Sequence, residues 1–372
     1  MLKDLELKPL AEPLLRWFLE NARVLPWRED PTPYRVWVSE IMLQQTRVEA
    51  VKPYFDRFMG ALPTVSDLAA CPEDQLLKLW EGLGYYNRVR NLQRAAVQVK
   101  ERYGGELPHT YEELLKLSGI GHYTAGAVAS IAYGQNVPAV DGNVLRVLTR
   151  VTADDGDITK QSFHRKIEEH LAGLLEEISI PGELKEQLCQ GNVPGAFNQA
   201  LMELGATVCV PNGAPLCGEC PWGAFCMARQ TGRVAELPVK SRAKERRCEE
   251  RTVLIIRDGD KVAIRKRPQT GLLAGLYELP NVKGHKSEDE VLSLVKEMNF
   301  APLRIKRLVD AKHIFSHIEW QMWGYAILVE EPESDGELLF VDTVDAGERY
   351  AIPAAFAAYA EYLDIRLGSE RF

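Results

Sequence analysis

No window of this 372-residue chain approaches the roughly 20 consecutive apolar residues that a membrane span requires, so no membrane protein is expected. The first residues, Met1-Leu2-Lys3-Asp4-Leu5-Glu6, carry acids early and contain no apolar signal core, and an intracellular protein is expected. No internal repeat of fixed period and no low-complexity tract stands out. Acids outnumber bases, 53 to 45. The net charge of −8 argues mildly against a nucleic-acid partner, because a DNA-binding surface must be locally basic to release counterions from phosphates. A groove is local, however, and Lys240-Ser241-Arg242-Ala243-Lys244-Glu245-Arg246-Arg247 is sharply basic, although a plain linker would look the same.

What is present is the composition of a globular protein, 46% hydrophobic and 26% charged, at a length that allows two or three domains. From about Pro9 to Arg229 apolar residues recur at three-and-four spacing, as in Leu14-Leu15-Phe18-Leu19, Leu76-Leu77-Leu79-Trp80 and Leu114-Leu115-Leu117, which predicts an all-α region. The texture then changes. Val253–Ile256, a turn at Asp258-Gly259-Asp260 and Val262–Ile264 read as a β-hairpin, and Gln321–Val329 as another strand. With helices at Glu288–Lys296 and near Ala354–Leu363, the C-terminal part is α+β, and the boundary falls near 230–250.

Two stretches of the helical part invite chemistry. In Leu117-Ser118-Gly119-Ile120-Gly121-His122-Tyr123, the glycines Gly119 and Gly121 permit a tight turn whose amides could face a phosphate at a helix N-terminus, or the turn is a simple connector. Asp141, in Pro138-Ala139-Val140-Asp141-Gly142-Asn143, precedes a helix and could cap it; a helix N-terminus also favours an ionised carboxylate. Together these stretches resemble the helix-hairpin-helix glycosylase superfamily over roughly residues 9 to 229. In its lyase-competent members, such as endonuclease III, a hairpin lysine attacks the sugar. Tyr123 occupies that position here, which implies water as the nucleophile and little or no lyase activity.

A further acid, Glu40, lies in Val38-Ser39-Glu40-Ile41-Met42-Leu43-Gln44-Gln45-Thr46 and could be an exposed residue of an amphipathic helix. The stretch closely resembles MutY-type enzymes, in which this Glu is the general acid. The resemblance implies that Glu40 protonates N7 of adenine, its pKa raised by burial among Val38, Ile41 and Met42. Asp141 would stabilise or trap the oxocarbenium-like sugar, Asn143 would orient water or sugar, and Tyr123 would donate a hydrogen bond to the carboxylates. The target base must leave the duplex. Gln45 and Tyr85 are candidates to fill the gap, with Thr46 and Arg88 as further DNA contacts, although Tyr85 could be a core aromatic. Arg23, Leu25, Trp27, Arg28 and Gln199 would line the adenine pocket, where Leu and Trp are also ordinary core residues.

Seven cysteines are present, and four of them, Cys209, Cys217, Cys220 and Cys226, fall within 18 residues, which suggests a metal or cluster rather than disulfides. One C-x2-C pair with outlying cysteines in a single loop (209–226) fits a 4Fe-4S cluster better than a zinc ribbon or free thiols, and the resembled families carry a cluster here. Their first spacing is six residues, against seven in this chain. The segment Ile180–Gly191 looks like an insertion and is expected to be a surface excursion.

Arg265-Lys266-Arg267-Pro268 and Gly271–Pro280 resemble a Nudix fold, but the helix Ser287–Lys296 lacks the R-E-x-x-E-E glutamates that hold magnesium, so binding without hydrolysis is expected. In the MutY family this domain recognises 8-oxoguanine, and Phe315-Ser316-His317 matches the recognition loop; these could also be polar residues flanking a strand. The expected organisation is a helix-hairpin-helix DNA glycosylase domain with a 4Fe-4S loop (1–229), a basic linker (230–250) and an α+β Nudix-like domain (251–372). The implied partner is double-stranded DNA with A opposite 8-oxoguanine or G, acted on by a monomer in the bacterial cytoplasm or nucleoid. The rival readings are a pyrimidine glycosylase/lyase, a cluster-bearing DNA binder without catalysis, and a nucleotide-pool hydrolase.

Overall fold

The computed structural model describes residues 8–188, 191–241, 245–330 and 337–362. Contacts divide the chain into two compact units, Met1–Ala70 with Arg90–Arg242, and Cys71–Val89 with Ala243–Phe372. Among the described residues no helix is long and apolar enough to cross a membrane.

The first unit is helical. Five of its helices position the site: α1 (Ala11–Asn21), α2 (Pro33–Leu43), α3 (His122–Tyr133), α4 (Gly142–Thr152) and α5 (Val193–Thr207). Helix α3 is buried from Thr124 to Ile131, because small residues occupy most of its turns and let neighbours approach from several sides. Helices α2 and α5 pack against it, and α5 in turn packs against α1 and α4. Starts are set locally: Thr32 caps α2 with Pro33 at the first position, and Asp141 caps α4. The core joins Leu14, Leu15, Val144, Leu148, Phe197, Leu201, Leu204 and Trp222, each contributing about 1.5–3 kcal/mol by burial.

Two expectations are corrected here. The 180–191 segment is not a purely surface excursion: it forms a short helix, Gly182–Gln187, and Leu184 and Leu188, four apart, are buried in the same core. Cys189 and Gln190 lie outside the described residues. The linker is also shorter than 230–250. Leu237 is buried, its carbonyl accepts from Arg150 Nε at 3.0 Å, and Ile158 N donates to Val239 O at 3.0 Å, so this stretch belongs to the helical unit. Of the basic run, Arg242, Ala243 and Lys244 lie outside the described residues, and strand β1 already begins at Arg247.

The second unit holds a mixed seven-stranded sheet of β1 (Arg247–Asp258), β2 (Lys261–Lys266), β3 (Tyr277–Glu278), β4 (Asn281–Lys283), β5 (Ala301–Ile314), β6 (Ile318–Glu330) and β7 (Leu339–Asp342). The main path runs β3-β2-β1-β6-β5, with β4 on β1 and β7 on β2. Strands β1 and β6 are parallel, Val253 opposite Gly324. Alternation along β1 sends Val253 and Ile255 into one core cluster, with Trp320, Met322 and Phe356, and Leu254 and Ile256 into another, with Val291, Val295 and Ile327. Helix α6 (Glu288–Glu297) opens with a capping box between Ser287 and Glu290. The stretch expected as a helix near Ala354 is a 3-10 helix, Ala354–Tyr362, and Leu363 lies outside the described residues. The chain segment 71–89, with its helix Glu73–Leu79, is part of this unit, as in the ion pair of Lys266 with Asp74 at 2.7 Å.

Candidate active site

A cavity of about 380 Å³ opens within the helical unit, lined by residues of α2, α3 and α5 and of the loop that leads into α4. Glu40, Tyr123, Asp141 and Asn143 all border it. Glu40 is not on the exposed face of α2, since only 6% of the residue is accessible. Burial pushes its carboxyl up to about 7; the charge of Asp141 adds to the rise, while the hydrogen bond from Tyr123 Oη and the charge of Arg28 oppose it. Burial also raises the Tyr123 phenol well above its usual value, with the two carboxylates reinforcing the effect, so it stays a donor.

Asp141 caps α4, its Oδ1 accepting from the backbone of Asn143 and Val144 at 2.8 Å each, and its Oδ2 from Asn143 Nδ2 at 2.7 Å. Burial raises this carboxyl, against the three donors and the charge of Arg146. All three partners are donors, so the network is built for the carboxylate form. Gly205 of α5 makes room here, because a Cβ at that position would fall 2.5 Å from Asn143 Cβ.

Arg23, Leu25, Trp27, Arg28 and Gln199 line the same cavity, together with Gln45 and Thr46. The sequence reading missed their organiser. Glu203, 1% exposed, takes Arg23 Nε at 2.6 Å and Arg28 Nη2 at 2.9 Å, and Arg28 Nε donates to Gln199 Oε1 at 3.2 Å. Burial alone would raise the Glu203 carboxyl, but the two guanidinium groups hold it below the usual value. Its signal in the sequence was faint: a lone acid in the otherwise apolar run Ala200-Leu201-Met202-Glu203-Leu204. Trp27 and Leu25 are core residues as well, Trp27 meeting Phe55 edge-on at 5.3 Å.

From Asn143 a ladder of hydrogen bonds continues. Arg146 Nη2 donates to Asn143 Oδ1 and to Gly205 O, and Arg146 Nε donates to Cys209 O, all at 2.7 Å. Arg150 Nη1 then donates to Cys209 Sγ at 3.3 Å. Cys209, Cys217, Cys220 and Cys226 border one small cavity with Arg150 and Arg229. Among the described residues no group of three or more His, Cys, Asp or Glu is placed to hold one metal ion. Burial, with the charges of the other three cysteines adding to it, pushes the Cys220 thiol up to about 11, so four bare thiolates would repel one another there. A cationic core with one iron per thiolate removes that penalty, and the donor set fits it.

The hairpin turn is built as its glycines require. Gly119 has φ +73° and a Cβ there would lie 2.5 Å from Asn91 Cβ, while Gly121 is the N-cap of α3. Gln45, exposed at the end of α2, has the left-handed φ of +62°. Tyr85, Arg88, Phe315, Ser316 and His317 belong to the second unit. Tyr85 is no core aromatic: it is 53% exposed at φ +47°, and its Oη accepts from Ser316 Oγ at 3.0 Å. Arg88 is committed inside its own loop, donating to Leu83 O at 2.9 Å and Gly84 O at 3.1 Å, and burial lowers it to about 10. In the β5–β6 turn Phe315 packs on Trp320 at 5.0 Å, while Ser316 and His317 are exposed.

Residues 38–172 match the model of the HhH-GPD superfamily of base excision DNA repair proteins, and residues 252–362 that of the NUDIX domain. The adenine DNA glycosylase of Homo sapiens is 36% identical over 92% of this chain and 70% of its own length. That of Mus musculus is 35% identical over 96% of this chain and 79% of its own. Among solved structures a thermostable thymine-DNA glycosylase shares 27% identity at a TM-score of 0.52, over 60% of this chain and 96% of its own. With two domain matches in this order, and more than two thirds of these relatives covered, the chain belongs to the family of adenine DNA glycosylases, base excision repair hydrolases that join a helix-hairpin-helix domain to a Nudix-like one.

Proposed function

We propose that this chain excises adenine mispaired with 8-oxoguanine, or with guanine, from double-stranded DNA by hydrolysis of the N-glycosidic bond, with little or no lyase activity. The observation that carries the reading is Glu40: a buried carboxyl brought to about 7, sharing one cavity with Asp141. A group titrating there can give a proton at neutral pH, which an ordinary glutamate cannot. With Tyr123 donating to Oε2, the other Glu40 oxygen carries the proton to N7 of the flipped base. The C1′–N9 bond then breaks with its electron pair leaving on adenine. Asp141 offers negative charge to the cationic sugar, and a water oriented by Asn143 adds at C1′ while its proton passes to the Glu40 carboxylate left by the first transfer. Among the described residues lining the cavity there is no lysine, which supports water rather than a Schiff base as the route.

Arg23 and Arg28, held by Glu203, with Leu25, Trp27 and Gln199, would shape the adenine pocket. Gly119, Gly121, Gln45 and Thr46 would face the DNA backbone and stack. Cys209, Cys217, Cys220 and Cys226 would hold a 4Fe-4S cluster, which supplies a rigid staple for its loop. The second unit would read the opposite base through Ser316 and His317, with Tyr85 beside them and Phe315 as anchor. The experiment is an assay on duplexes with A opposite 8-oxoguanine, with and without alkali. Adenine release with strand breaks appearing only after alkali supports the reading; breaks without alkali, or no adenine release, overturn it.

A further inference from the structure

We propose that Lys78 and Glu81 are positioning residues that fix Tyr85 beside Ser316 and thereby set how strongly the enzyme prefers 8-oxoguanine over guanine opposite adenine. The inference rests on the proposed reading of Tyr85 and Ser316 as contacts to the opposite base, and adds the device that holds them. Neither Lys78 nor Glu81 lines the excision cavity.

Glu81 is 8% exposed, and its two oxygens are divided. Oε1 accepts from Ile352 N at 2.8 Å and Oε2 from Lys78 Nζ. Lys78 spends its remaining donors on two carbonyls of the same distant stretch, Gly347 O and Tyr350 O. An ammonium has three donors, and all three are matched. The pair thus clamps segment 71–89 to residues 347–352 across some 270 positions of sequence, within one compact unit.

What the clamp holds is the turn that carries Tyr85. Trp80 Nε1 donates to Gly84 O at 3.1 Å, and Arg88 donates to Leu83 O and Gly84 O, so the turn from Trp80 to Arg88 is tied across its own backbone. At its tip Tyr85 keeps a left-handed φ of +47°, a conformation that persists in a bulky residue only when its surroundings impose it. At the far end of the side chain, the bond from Ser316 is open to solvent on both partners and competes with water. It cannot hold an exposed ring in place by itself. The clamp fixes the backbone, and Ser316 then selects the direction of the ring, whose face also meets the Arg88 guanidinium at 5.6 Å.

The test measures single-turnover excision from two duplexes, A opposite 8-oxoguanine and A opposite guanine, with one preparation each of wild type, Glu81→Ala, Lys78→Met, Ser316→Ala and Glu81→Ala/Ser316→Ala. Excision opposite guanine reports that the helical unit is folded and active. Expected is an about tenfold fall in the ratio of the two rates for Glu81→Ala and Lys78→Met, equal to about 1.4 kcal/mol of differential stabilisation, with the guanine-opposed rate changed less than about twofold. The double variant is expected to lose no more than the larger single loss, because both substitutions act on one tyrosine. A ratio kept within about twofold, a parallel fall of both rates, or strictly additive losses would overturn the proposal. If Glu81→Ala does not fold, Lys78→Met decides alone. A wild type with equal rates on the two duplexes instead removes the underlying reading of the second unit.

Discussion

Both units bury carboxylates, and they treat them differently. In the C-terminal unit Glu278, 1% exposed, is closed in by Arg265, Arg267 and Asn281, and its charge is compensated on every side the structure records. In the helical unit Glu203 receives the same treatment from Arg23 and Arg28. Glu40 does not: its hydrogen-bond partner is a phenol, and its carboxyl rises to about 7. A buried acid with no cation bonded to it costs stability unless it keeps its proton, so the contrast separates acids that hold the fold from one that holds a proton.

The contrast can be broken most directly by Glu40→Gln, expected to lower adenine excision by about a thousandfold in single-turnover assays. The sign of the stability change matters more. A carboxyl raised to about 7 stabilises the fold fully below the ordinary carboxylate range, and this contribution is lost as pH rises through 7. Thermal melts at pH 8 should therefore show Glu40→Gln more stable than wild type by about 1–3 kcal/mol. A destabilised variant would place Glu40 with Glu278 and end the comparison. Wild-type excision should fall about tenfold per pH unit above 7.

Glu278→Gln should do the opposite, losing about 3–5 kcal/mol of C-terminal unit stability in denaturant melts, because two guanidinium groups are left uncompensated. Next comes Arg146→Met, which cuts the ladder from Asn143 to Cys209; excision should drop about tenfold to a hundredfold, with less iron retained per chain after gel filtration. Gly205→Ala drives a methyl against Asn143 and should cost about 1–3 kcal/mol in melts, with a smaller fall in excision. Smallest is Ser316→Ala, expected to reduce the proposed preference for 8-oxoguanine only a few-fold, as suits one exposed hydrogen bond of about 1 kcal/mol.

Local signals carried much of the architecture. Ser287 and Glu290 mark the start of α6, Asp258-Gly259-Asp260 the turn between β1 and β2, and Asp141 the start of α4, because each is written within a few residues. Strand β5 escaped notice since, of its fourteen residues, Leu308 is the buried one and the alternation is lost at two irregularities. Glu203 and the clamp at Lys78 were illegible for a different reason: their partners lie some 170 to 270 residues away, and nothing in the local pattern distinguishes a buried, paired charge from a solvated one. The burial of Glu40 was legible only as a possibility, since apolar neighbours in sequence do not say which face of a helix is covered.

Asp141 ties two fortunes together. The same oxygens that would meet a cationic sugar also close the first turn of α4, so alanine there would forfeit about 0.5–2 kcal/mol of helix stability along with any reactivity. A descendant that abandoned excision while keeping its shape would still need a capping side chain at this position, which asparagine or serine supplies. Its retirement from chemistry would be written in the sequence as a single conservative exchange, nearly silent to the eye.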